Sequence, residues 1–299
     1  YFAGMCGKKY FKDLCVFNSI QVIDGAEFEL NDIPSKGKTA LVLLSQSGET
    51  KDLHRCLEMC KDLDLMKIGV VNVVDSLIAR EVDCGCYLNA GREVGVASTK
   101  SFTSQVIILS MMAIWFAQSH DINLQKRKKH IKDLRKLYLD IEKTLEKNNI
   151  DEFLSIFDKQ NNCFILGKDK GEAIAQETAL KIKEISYIHA EGYSSSSLKH
   201  GPFALLEKDF PVILIAPENK YFAKNMNAYE EIKSRYAKII LVTNKVNLNL
   251  PNTILVEKNE SYCDLLCVIP LQLLAFKLSI YKGCNADMPR NLAKVVTVE

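Results

Sequence analysis

The sequence predicts an α/β protein made of two copies of one parallel-sheet domain. Three observations carry this expectation. Continuous apolar, β-branched runs lie at residues 40–44, 67–74, 211–216 and 239–243, the first bounded by Lys38 and Ser45, as in strands buried on both faces. Segments with helical periodicity separate them, which is the alternation of a parallel sheet with helices on its faces. The order also repeats: 41–44 and 68–71 in the first half match 212–215 and 239–242 in the second, and each half closes with a long apolar helix, 102–116 and 263–281. In the same scheme Phe2-Ala3-Gly4-Met5 and Phe164-Ile165-Leu166-Gly167 are paired as the opening strands of the two copies.

Composition narrows the class. With 47% apolar and 25% charged residues in 299, the chain is neither disordered, collagen-like nor a disulfide scaffold. Thirty-nine basic against 37 acidic residues leave a net charge of +2, without the positive excess of a dedicated nucleic-acid binder. The longest apolar run, 106–116, is about half the ~20 residues of a membrane span, so no membrane partner is expected. The ten cysteines are irregularly spaced and no CxxC occurs, which excludes a zinc ribbon; no metal is expected, and free thiols point to the cytoplasm. The chain opens without an initiator Met and without a basic-then-apolar leader, and is expected to be the C-terminal part of a longer polypeptide.

The expected boundaries are a first domain over 1–120, a helical connector over 121–160, a second domain over 161–285 and a tail over 286–299. In the connector, Leu134, Leu137, Ile141 and Leu145 mark a helical stripe. Its basic run Lys126-Arg127-Lys128-Lys129-His130 is followed by Asp133, Asp140, Glu142 and Glu146, so it reads as a solvated helix face rather than a nucleic-acid patch.

The first domain holds Ser45-Gln46-Ser47-Gly48-Glu49-Thr50 between a strand and a helix over 51–60. A helix N-terminus offers free N–H groups, Ser45, Ser47 and Thr50 add hydroxyls, Gln46 adds an amide and Gly48 permits close approach. One Ser or Thr suffices for a helix cap; this many donors favour an oxyanion guest such as a phosphate. A second polar stretch, Gly95-Val96-Ala97-Ser98-Thr99-Lys100, reads either as a cap of the following helix or as a ligand loop.

In the second domain a helix is expected over 171–190, with Glu177, Lys181 and Glu184 on one face. A surface salt-bridge ladder is the plain reading; the helix's apolar content favours burial. A long polar loop over 191–202 then carries His200 beside Gly201-Pro202, an acid–base candidate. Lys294 lies in a tail that either frays or brings an amine able to form a Schiff base. A phosphate anchor, a carboxylate, a lysine and a histidine together suit proton transfer beside a sugar-phosphate carbonyl.

These residues resemble a known family. Ser45 to Thr50, Gly95 to Lys100, Leu180-Lys181-Ile182-Lys183-Glu184-Ile185-Ser186-Tyr187-Ile188-His189-Ala190-Glu191, Leu198-Lys199-His200-Gly201-Pro202 and the tail over 289–299 are similar to the isomerase half of glucosamine-6-phosphate synthases, also called glutamine–fructose-6-phosphate aminotransferases. That half is a pair of sugar-isomerase (SIS) domains, and the resemblance covers nearly the whole chain. It implies an α/β fold of two duplicated SIS domains and conversion of fructose 6-phosphate and ammonia to glucosamine 6-phosphate, the entry to hexosamine and UDP-N-acetylglucosamine synthesis. Ser45, Gln46, Ser47 and Thr50 would bind the phosphate, Val96 and Ser98 would line the sugar, Glu184 would move a proton between C1 and C2, and Lys294 would form an imine with the open-chain ketose. His200 would assist ring opening from the neighbouring subunit of a homodimer, and Lys181 would help set the protonation state of Glu184. No metal or organic cofactor is implied; the implied partner is an N-terminal glutaminase domain that releases ammonia.

The family usually carries Thr-Ser after Cys6-Gly7, facing the sugar phosphate, where this chain has Lys8-Lys9; Cys6, Gly7 and Lys9 are therefore further substrate-binding candidates. The family also usually shows Gly-Glu where Ser196-Ser197 stand before Leu198. These departures motivate the alternative of a non-catalytic sugar-phosphate-binding regulatory protein.

Overall fold

The computed structural model describes residues 1–294, which fold as two compact units. Unit 1 comprises Ala3–Ile122 and residues 290–294; unit 2 comprises Asn123–Pro289. The stretch 295–299 of the tail motif lies outside the described residues.

In unit 1 the chain runs through α1 (Phe2–Leu14), β1 (Ala40–Ser45), α2 (Lys51–Met59), β2 (Met66–Val71), α3 (Leu77–Glu81), β3 (Cys84–Tyr87) and α4 (Lys100–Ser119). The three strands form a parallel sheet in the order β1-β2-β3, with Leu43 opposite Gly69 and Ser45 opposite Val71. Residues 2–5, expected as a strand, are the first turn of α1. A short apolar run does not separate strand from helix by itself. What decides here is the wider pattern: Ala3, Cys6, Gly7, Tyr10 and Leu14 are buried at three- and four-residue spacing.

Unit 2 contains α5 (Leu124–Glu146), β4 (Asn162–Gly167), α6 (Lys170–Ser186), β5 (His189–Ser194), β6 (Pro211–Ile215), α7 (Phe222–Lys233), β7 (Lys238–Thr243), β8 (Thr253–Leu255) and α8 (Cys263–Tyr281). Its five strands are all parallel, in the order β5-β4-β6-β7-β8. Setting aside α3 in unit 1 and β5 in unit 2, the run helix, strand, helix, strand, strand, long apolar helix is common to both units, with α1 standing where unit 2 has α6. Among the described residues unit 1 has no counterpart of β4 and β5.

The helix expected over 171–190 ends early. Tyr187 takes a left-handed conformation with φ of 60°, and the chain turns back into β5. That strand is polar and does not alternate, so no periodicity announces it. It is held from outside, paired along its length with β4 from Asn162–His189 to Gly167–Ser194. The expected loop over 191–202 is therefore the end of β5 followed by tight turns at Ser197–His200 and Pro202–Leu205.

α5 also differs from expectation. Of the predicted stripe only Leu137 is fully buried, and Leu145 is exposed. The buried face is polar: Arg127, His130, Asp133, Asp140 and Thr144. It meets the segment before α8. Asp133 accepts hydrogen bonds from the amide (3.2 Å) and hydroxyl (2.7 Å) of Ser261, and Asn259 donates to the Asp133 carbonyl (3.0 Å) and the Asp140 carboxylate (2.7 Å). Thr144 Oγ1 accepts from the Glu257 amide at 3.0 Å. Within the basic run, Lys126, Lys128 and Lys129 are exposed while Arg127 and His130 turn inward.

Two helices are long and apolar enough to cross a membrane by length and composition, contrary to the estimate from the uninterrupted run alone: α4 and α8, with mean hydropathies of 1.3 and 1.8. More than half of each such window is buried inside the protein. In α8, Leu266, Cys267, Val268, Leu271, Leu274 and Leu278 have no exposed surface. Burial in a core accounts for this composition.

Removing the Asp133 carboxylate leaves two donors of Ser261 without their acceptor in a buried site. Asp133→Ala is expected to destabilise unit 2 by about 1–3 kcal/mol. Lys128→Ala on the exposed side of α5 is expected to stay within about 0.5 kcal/mol. Urea unfolding of the two variants checks this; equal midpoints would contradict the clamp.

Candidate functional site

In unit 1 the Ser45–Thr50 loop is organised by its own hydroxyls. Ser45 Oγ lies 2.8 Å from Thr50 Oγ1 and accepts the Gly48 amide at 2.9 Å; Ser47 Oγ accepts the Glu49 amide at 3.1 Å. Thr50 precedes α2 without capping it through its side chain, so the first-turn N–H groups are not consumed by a helix cap. Gly48 has a φ of +69°, and a Cβ there would stand 1.9 Å from Ser76 Oγ, so no other residue fits. The loop is tied to its neighbours by the Asn72 amide on the Gln46 carbonyl (3.2 Å) and the Leu77 amide on Glu49 Oε1 (2.8 Å).

A cavity of about 310 Å³ opens in front of this loop. Gln46 and Ser47 line it from the loop, Asn72 and Val73 from the end of β2, and Gly91, Arg92 and Glu93 from the chain after β3; Lys294 closes it. Ends of parallel strands followed by helix N-termini are where α/β sheets place ligands. Asn72 shapes the wall: its side chain donates to the Gly91 carbonyl at 2.9 Å and accepts the Ala90 amide at 3.0 Å.

Glu93 was missed by sequence reasoning. Its side chain is 5% exposed and sits over the start of α4, where Thr99 N donates at 2.8 Å and Ser101 Oγ at 2.8 Å. Lys294 Nζ lies 3.2 Å from Glu93 and 3.3 Å from Ser98 Oγ. Burial works to raise the Glu93 pKa; the bonds from Thr99, Ser101 and Ser98 and the Lys294 ammonium outweigh it, and the pKa is lowered. The available signal was an acid a few residues ahead of a Ser-Thr helix start, a common pattern with little specificity.

The other unit 1 candidates lie apart from the cavity lining. Ser45 and Thr50 stand behind the loop, bonded to each other. Cys6 is buried in α1, and Gly7 meets α4: a Cβ there would be 2.6 Å from Leu109 Cδ1. Lys9 and Val96 are half-buried and do not line the cavity.

In unit 2, Glu177, Lys181 and Glu184 do share a face of α6, and it is an inward one. Lys181 is buried, with its Nζ 2.7 Å from Glu184 Oε2 and 3.6 Å from Glu177 Oε1. Glu177 is equally buried, whereas the Glu184 side chain keeps 20% exposure. Burial pushes the Glu177 carboxyl up, Lys181 opposes this, and the negative Glu184 adds to it; the net direction is upward. His200 ends the Ser197–His200 turn and is exposed, while the adjacent Lys199 pairs with Glu231 at 2.6 Å. Ser196 accepts a hydrogen bond from Lys168. Among the described residues no group of three His, Cys, Asp or Glu side chains is placed to hold a metal ion.

Because the Glu93 pKa lies below the ordinary 4.5, its ionised form contributes stability above pH 4.5 that is lost as the pH falls through the lowered value. Glu93→Gln is expected to cost about 1–3 kcal/mol at neutral pH and to flatten the acid limb of thermal stability. Parallel acid limbs in differential scanning fluorimetry would contradict this.

Comparison with known proteins places this geometry in a family. The SIS domain profile matches residues 1–115 and 156–280. The chain is 50% identical to a protein of Acanthamoeba polyphaga mimivirus named as a probable glutamine–fructose-6-phosphate aminotransferase [isomerizing], over all of this chain and 50% of that one. It is 38% identical to the glutamine–fructose-6-phosphate aminotransferase [isomerizing] of Chlorobaculum tepidum, over 99% of this chain and 49% of that one. The chain thus spans about half the length of the curated relatives it matches. The solved C-terminal domain of glucosamine-fructose-6-phosphate aminotransferase from Francisella tularensis superposes with a TM-score of 0.88 at 32% identity, over 97% of this chain and 84% of that one. The chain therefore belongs to the SIS domain family and, within it, to the C-terminal isomerase halves of the glutamine–fructose-6-phosphate aminotransferases.

Proposed function

We propose that this chain carries the sugar chemistry of glucosamine 6-phosphate formation, turning fructose 6-phosphate and ammonia into glucosamine 6-phosphate and water. One observation carries the reading: the Lys294 amine and the Gln46–Ser47 loop border the same cavity. A ketose phosphate needs a nucleophilic amine for its carbonyl and oxyanion donors for its phosphate.

In this reading Lys294 condenses with the C2 carbonyl of the open-chain ketose, releasing water and forming an imine. Ammonia displaces Lys294 and leaves the imine of the sugar. Glu184 takes a proton from C1 and returns it to C2, and the C1 hydroxyl becomes the aldehyde as its own proton passes to the imine nitrogen, which becomes the C2 amine. Partial exposure suits Glu184 to this role better than the buried Glu177. Lys181 holds the Glu184 carboxylate from behind. His200, exposed on its turn, serves ring opening in a partner subunit of a homodimer. The ammonia comes from a glutaminase domain of the full-length protein, and the free cysteines fit a reducing, cytoplasmic setting.

The test is proton exchange. Fructose 6-phosphate incubated with the chain in D2O is expected to gain deuterium at C1 or C2 by NMR, and Glu184→Gln is expected to reduce the rate by at least about 100-fold while leaving phosphate binding in place. Unchanged exchange in Glu184→Gln would overturn the role of Glu184. Phosphate binding with no exchange in the unaltered chain would favour a sugar-phosphate-binding regulatory protein.

A further inference from the structure

The charges around the unit 1 cavity do not balance. Glu93 is the one acid among its lining residues, and its carboxylate is already engaged by Lys294 and the start of α4. One further cation belongs to the same wall. Arg92 lines the cavity, and Lys100 donates to the Arg92 carbonyl at 2.6 Å. Among the described residues the Arg92 guanidinium takes part in no ion pair or hydrogen bond, and Arg92 is an exposed residue rather than a packed one. Its five donors are left for a ligand.

The loop opposite supplies the complementary half of the argument. Its donors are neutral, and several are spent within it: the Gly48 amide on Ser45 Oγ, the Glu49 amide on Ser47 Oγ, and one of the Ser45 and Thr50 hydroxyls on the other. Neutral donors orient a phosphate, but a monoester near its dianionic form at neutral pH also calls for a counter-charge. Lys294 is paired with Glu93 and, in the reading above, is committed to the carbonyl. Arg92 remains, with the planar fork that matches two phosphate oxygens.

We propose that Arg92 is the cationic partner of the substrate phosphate and sets the preference of this cavity for phosphorylated over neutral sugars. The identity of the sugar rests on the function proposed above; the anion site does not.

The experiment compares the chain with Arg92→Gln and Arg92→Lys by calorimetric titration with inorganic phosphate, fructose 6-phosphate and unphosphorylated fructose. Arg92→Gln is expected to weaken inorganic phosphate and fructose 6-phosphate by about tenfold or more, the range for hydrogen bonds to charged groups. Arg92→Lys is expected to recover part of that loss, because charge is kept and the fork is not. Fructose is expected to respond to neither change, and in turnover the loss is expected to fall on KM. Wild-type affinity for inorganic phosphate in Arg92→Gln would overturn the proposal, as would an equal loss for fructose or an unaltered chain that binds no phosphate. Arg92-dependent phosphate binding without C1–C2 proton exchange would uphold the anion site and overturn the ketose reading alone.

Discussion

A single carboxylate, that of Glu93, links three parts of unit 1: the start of α4, the cavity wall and the returning C-terminal segment at Lys294. Burying a carboxylate is costly unless its oxygens are satisfied. Here the amide of Thr99 and the hydroxyl of Ser101 meet that cost, so the charge is kept rather than neutralised. A kept charge can then hold an ammonium. Residues 290–294 follow α8 of unit 2 in sequence, yet they belong to unit 1. Without Glu93 the Lys294 amine would keep, among the described residues, Ser98 alone, a neutral hydroxyl at 3.3 Å.

Unit 2 meets the same constraint with opposite signs. Lys181 is a buried cation with two carboxylates, and the two are not equivalent. Glu184 is close to Lys181 and partly exposed; Glu177 is more distant, fully buried and pushed toward its protonated form. A buried ion cluster of this kind is weak evidence for stability, because desolvation offsets attraction. In the function proposed above, its value is in placing one reachable carboxylate beside a fixed cation, which is what a proton-moving group requires.

The duplicated α/β plan was legible in the sequence because buried parallel strands write themselves as continuous apolar runs, as 211–216 does for β6 and 239–243 for β7. Two elements were not legible because neighbours specify them rather than their own pattern. β5 is polar and exists through its pairing with β4. The buried face of α5 is polar because the segment before α8 offers it hydrogen-bonding partners. α1 looked like a strand at its first residues because four apolar or small residues in a row fit either period. At the site, the Ser45–Thr50 loop was readable from donor density around a glycine. Glu93 and Arg92 were not, since an acid and a base in a loop carry little specific signal until the fold turns them to one cavity.

The central claim is that the Lys294 amine meets the carbonyl of a ketose phosphate. Borohydride reduction of the chain in the presence of fructose 6-phosphate, followed by peptide mass spectrometry, tests it without requiring ammonia or turnover. The account predicts a reduced sugar-phosphate adduct on the peptide containing Lys294, suppressed by inorganic phosphate and absent in Lys294→Arg. No adduct, or one spread over surface lysines and indifferent to phosphate, would contradict it.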